Sequence, residues 1–60
     1  MTNQDLLSKL AASGTRVIVH YDIPGFDPDL TEPMDASVAA PMVATIEKHG
    51  GTCRIARAER

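Results

Sequence analysis

Cys53 is the only cysteine in a chain of 60 residues, and that narrows the folds open to it. A domain this short buries only about 60% of the surface its unfolded chain exposes, so its stability is marginal. Small natural domains close that gap with disulfides, a structural metal or a second chain. One cysteine cannot form an internal disulfide, and neither His20 nor His49 stands with it at zinc-site spacing. What is left is one thin aliphatic core drawn from Leu6, Leu7, Leu10, Val17, Ile18, Val19, Ile23, Leu30, Val38, Val43, Ile46 and Ile55. Self-association or docking on a partner is then the expected reinforcement, and one domain over residues 1–60 is the expected organisation.

A lone thiol suits a reducing compartment. The first residues show no basic region followed by an apolar run, so no secretory signal is expected. The apolar stretches fall short of the roughly 18 residues a membrane span requires, which points to a cytoplasmic protein. Hydrophobic residues make up 43% of the chain, too many for a disordered segment.

Periodicity divides the chain into four elements. Leu6, Leu7 and Leu10 share a helical face, with Thr2 or Asn3 as cap, Asp5 in the first turn and Gly14 as the stop. Arg16-Val-Ile-Val-His-Tyr-Asp-Ile23 is a β-branched run bounded by glycine and proline, hence a strand. Alternation puts Val17, Val19, Tyr21 and Ile23 on its apolar face and Arg16, Ile18, His20 and Asp22 on the other. Residues 24–35 carry Pro24, Pro28 and Pro33, which predicts a stiff loop without regular pairing. Asp35 or Ser37 caps a second helix running to about His49, with Pro41 expected in the first turn of its regular part. Gly50-Gly51 ends that helix, and Thr52–Ala58 forms a shorter strand. Ser13-Gly14-Thr15 and Gly50-Gly51-Thr52 echo each other as helix stops leading into strands, a junction many helix–strand turns share. The fold class is therefore α/β (α+β), a two-layer sheet-on-helix domain. A crossover helix between the two strands is compatible with a right-handed parallel unit. Two strands seldom make a stable sheet, so an extra strand or a second copy is expected at an edge.

No motif in the chain carries chemistry. His20 and His49 have no serine or cysteine positioned by sequence for activation, and Cys53 falls on the buried face of its strand, where thiols are inert. Asp27, Asp29 and Glu32 lack the loop length and the glycine and glutamate positions of a calcium loop, and no metal or cofactor is expected. Gly50-Gly51 closes a helix instead of opening one, so it lacks the donor geometry of a phosphate site.

Charge placement is the remaining signal. Between Val17 and Ile46 there is no lysine or arginine, while Asp22, Asp27, Asp29, Glu32 and Asp35 crowd one segment. Lys9, Arg16, Lys48, Arg54, Arg57 and Arg60 all lie outside it. Phe26, Leu30 and Met34 sit within the acid run as apolar anchors. Together these residues describe an acidic prong for a basic groove on a protein or ribonucleoprotein complex. A sequence pI near 5.4 and the acid segment itself argue against direct nucleic-acid binding.

In size, lack of catalytic motif and the Asp22–Asp35 acid run, the chain resembles the small phage-encoded inhibitors of the anti-CRISPR type. The resemblance implies a stoichiometric, non-enzymatic inhibitor whose carboxylates stand where a nucleic-acid backbone would, acting in the host-cell cytoplasm. The alternative is a structural or regulatory homodimer joined through a strand edge or the leucine face of the first helix.

Overall fold

The computed structural model describes residues 2–58. Helix α1 (Asn3–Ala12) leads into strand β1 (Arg16–Asp22), followed by two short strands, β2 (Asp29–Leu30) and β3 (Met34–Asp35). Helix α2 (Ala36–Lys48) and strand β4 (Thr52–Arg57) complete the chain. The architecture is mixed α/β: two helices packed on one face of a four-stranded, all-antiparallel sheet.

Local chemistry sets the helix ends. Thr2 and Asp5 form a capping box in which the Asp5 N–H donates to Thr2 Oγ1 at 3.1 Å and the Thr2 N–H to Asp5 Oδ2 at 3.4 Å. Asn3, the other cap candidate, is instead the first helical residue. Both helices end with the paired backbone bonds of a Schellman motif: Thr15 N–H to Leu10 O and Gly14 N–H to Ala11 O, then Gly51 N–H to Ile46 O and Gly50 N–H to Glu47 O. The echo between the two junctions therefore holds in space, but offset by one residue, with Gly50 and not Gly51 matching Gly14. Gly51 answers a different need, since a Cβ there would stand 2.7 Å from Ile46 Cγ2.

The core gathers Leu7, Leu10, Val17, Val19, Ala36, Ala39 and Val43. Leu7, Val17, Val19 and Val43 are wholly buried, each contributing roughly 1.5–3 kcal/mol. Val17 and Val19 come from the apolar face expected of β1, and Tyr21 packs partly against the same cluster. Helix α1 thus spends Leu7 and Leu10 on this core, with Leu6 packed partly against it.

One open point is decided and two expectations change. First, the two long strands pair antiparallel, Val17 opposite Arg57 through Asp22 opposite Thr52, so there is no parallel crossover unit. The helix α2 returns the chain on the same face as α1, and a strand leaving its end runs back alongside β1. Second, the proline segment does pair. Asp29 and Leu30 meet Tyr21 and His20, while Met34 and Asp35 meet Val17 and Arg16. Between these pairs the ladder is bridged by one side chain: the Val19 N–H donates to Thr31 Oγ1 at 3.1 Å, and the Thr31 N–H donates to Val19 O at 3.0 Å. Pro28 and Pro33 flank the paired dipeptides, so no N–H needed by the ladder is missing. Third, α2 begins at Ala36 and runs through Pro41. Pro41 and Ser37, whose carbonyl loses its helical donor, are both exposed residues, so the break in the ladder falls on the solvent side of α2.

Candidate docking surface

Residues 23–35 lie along the edge of β1 opposite β4. The segment leaves β1 through a tight turn in which the Phe26 N–H donates to Ile23 O at 3.0 Å. Pro24 and Gly25 fill its two central positions, and Gly25 takes a φ of 89°, the pattern of a type II turn. This turn holds Phe26 out in solvent at 72% exposure, and Leu30 follows at 54%. Phe26 and Leu30 are thus presented, whereas Met34, the third expected anchor, pairs with Val17 and packs partly against the core.

All five predicted carboxylates are exposed, and they follow one another in a line along the edge, with Asp29 and Asp35 on opposite faces of the sheet. Asp22 ends β1, Asp27 follows the turn, and Asp29 sits opposite Tyr21 in β2. Asp29 Oδ1 accepts the Leu30 N–H at 2.8 Å, which fixes the rotation of that carboxylate. Glu32 lies between the two short strands. Asp35 is the backbone N-cap of α2 and pairs opposite Arg16, but its side chain makes no capping hydrogen bond. From Asp29, opposite Tyr21, to Asp35, opposite Arg16, the line follows β1 for about 17 Å at the usual strand rise.

Two surface depressions divide the line. One, about 430 Å³, is lined by His20, Asp22, Pro28, Asp29, Leu30 and Arg54 among others. A second, about 210 Å³, lies by Asp35 and Thr15 at the start of α2. Phe26, Asp27 and Glu32 line neither. His20 and Arg54, now part of this surface, had no binding role in the sequence reading. Antiparallel pairing sets His20 opposite both Arg54 and Leu30, and only the strand direction, which periodicity does not encode, would have revealed that.

Pairing also modifies the charge separation seen along the sequence. Acids occupy one side of β1 and the arginines of β4 the other, two strand spacings or about 10 Å apart, just beyond the Debye length of about 8 Å at physiological salt and so largely screened from one another. Arg16 crosses to the acid side, donating from Nη2 to the Pro33 carbonyl at 3.1 Å.

Cys53 is half-buried, its thiol pushed above its ordinary value first by burial and then by the Glu47 carboxylate. A thiol held protonated in this way is a poor nucleophile. Among the described residues no group of three or more His, Cys, Asp or Glu is placed to hold a metal ion. No helix among them is long and apolar enough to cross a membrane. No protein-family model, curated protein or solved structure matches the sequence.

Proposed function

We propose that this chain is a non-enzymatic binding protein that lays its 22–35 edge into a basic groove of a nucleic-acid-binding protein or ribonucleoprotein. In that role it is a stoichiometric inhibitor of the anti-CRISPR kind, its carboxylates standing in for phosphates. The observation that carries this reading is the exposure of Phe26 and Leu30 inside a run of five exposed acids. Aromatic and aliphatic anchors flanked by charge are the composition of a docking edge, with the charges steering encounter and the anchors supplying affinity.

The test uses the immobilised chain and lysate of the host cells, followed by the captured complex in purified form. Binding is expected at low salt, with release at high salt and competition by that complex's own nucleic acid. The triple variant Asp27→Asn, Asp29→Asn, Glu32→Gln keeps side-chain shape, so it folds as before and loses the interaction. Undiminished binding by the triple variant at physiological salt would refute the acidic-edge reading.

A further inference from the structure

We propose that the outer edge of β4 is where a second copy of this chain adds its own β4, antiparallel, with the two-fold axis at Ala56. The inference is independent of the docking reading above, which uses the opposite edge of the sheet.

The ladder shows which main-chain groups are free. Val19 turns its N–H and C=O toward Thr31, away from β4, so Ile55, its partner in the register, turns its own toward the outside. The Ala58 N–H donating to Arg16 O at 2.9 Å confirms the alternation from the other end. Cys53, Ile55 and Arg57 therefore face outward. The Cys53 carbonyl is already taken, accepting from Asn3 Nδ2 at 2.9 Å, while the same amide nitrogen also donates to Glu47 Oε2. Asn3 thus blunts one end of the edge, the way natural sheets cover exposed strands. The open stretch is Ile55 to Arg57, half-buried at Ile55 and Ala56.

That stretch is complementary to itself. An antiparallel pairing about Ala56 sets Ile55 opposite Arg57 of the partner subunit and Arg57 opposite Ile55 of the partner subunit. Each pair exchanges two N–H to O=C bonds, so the free groups of Ile55 and Arg57 are all used and Asn3 stays in place. At the axis Ala56 meets Ala56 of the partner subunit at the narrow, non-hydrogen-bonded spacing of about 4.5 Å, which suits two methyl groups. Arg54 falls opposite Ala58 of the partner subunit, so no arginine stands directly across from another. The union yields one continuous eight-stranded sheet and gives a thin core the second chain its length calls for. It also leaves the two acidic segments at the far ends of that sheet.

The experiment is disulfide trapping in a Cys53→Ser background. Ala56→Cys places two thiols across the axis at a separation compatible with a disulfide, whereas Ala58→Cys faces Arg54 and has no thiol opposite. Under mild oxidation Ala56→Cys is expected to form covalent dimer at least about tenfold faster than Ala58→Cys. Equal rates, or none, overturn the proposed register. Amide exchange on the unmodified chain is the second measurement. Between about 10 µM and about 1 mM the Ile55 and Arg57 amides are expected to slow by about tenfold or more relative to the rest of β4. Exchange that ignores concentration overturns the dimer itself. Because the two copies bring arginines near one another, self-association holds or strengthens as salt rises, while acidic docking weakens. Failure of one proposal is therefore distinguishable from failure of the other.

Discussion

The two sides of β1 are built on opposite rules. Toward the helices and β4, the strand buries Val17 and Val19 completely and runs a six-residue ladder from Val17 to Asp22. Toward residues 23–35, it meets two dipeptides and one threonine, and the segment beyond leaves Phe26 and Leu30 in water. One side carries the stability of a domain that has little to spare, and the other carries the exposed apolar and acidic groups. The difference teaches where the fold tolerates sequence change: the core side tolerates little, while the acid edge can vary without loss of stability as long as Thr31 and the Gly25 turn hold it.

The largest expected effect breaks the comparison from the core side. Leu7→Ala empties a wholly buried site in the cluster that also holds Val17 and Val43, and Leu→Ala changes in cores cost about 2–5 kcal/mol. For a domain of this size that is enough to unfold most of the population at 37 °C. Phe26→Ala, at a side chain of comparable bulk, is expected to move stability by less than about 0.5 kcal/mol while reducing partner binding. Urea denaturation of both variants checks the pair. A Phe26→Ala variant that destabilises as much as Leu7→Ala would show the anchor to be structural.

Thr31→Val comes next. It keeps the shape of the side chain but leaves the Val19 N–H without its acceptor, a loss of about 1–3 kcal/mol for a part-buried donor. The exchange rate of the Val19 amide is the direct readout, with Thr31→Ser expected to restore protection. Gly25→Ala follows at about 1 kcal/mol, because a residue with a Cβ resists the φ of 89° even though the space around it is open. Its melting temperature should fall slightly, and Phe26 should lose its fixed presentation.

This asymmetry also decides what was readable in advance. Strand β1, helix α1 and the Gly50-Gly51 stop were legible because burial on one face writes a period into the residues: Leu6, Leu7, Leu10 in one case, Val17, Val19, Tyr21 in the other. The pairing of Asp29-Leu30 and Met34-Asp35 was not legible, since two-residue strands have no period and three prolines argue the other way. What joins them is a Thr31 hydroxyl standing in for a backbone acceptor, an arrangement invisible to any pattern of hydrophobicity. Pro41 misled for a related reason. Its cost depends on whether the freed Ser37 carbonyl is wet, and that is a property of the folded surface. The exposure of the five acids was legible, because charge needs no partner to stay in water; that His20 and Arg54 lie beside Asp22 and Asp29 was not, because their meeting is set by strand direction.

The smallest expected effect sharpens the comparison at Asp35, where the two regions touch. Its position as N-cap of α2 suggests a stabilising role worth about 1 kcal/mol for a capping carboxylate. Its side chain makes no capping bond, so Asp35→Ala should cost only a few tenths of a kcal/mol, the residual attraction of a negative charge for the helix start. If the carboxylate belongs to the docking line and not to the helix, the same substitution lowers the association rate with the partner and flattens its salt dependence. Stopped-flow association at two salt concentrations beside a thermal melt separates the roles. A large fall in melting temperature with unchanged association would return Asp35 to the helix and shorten the acidic line to the four residues from Asp22 to Glu32.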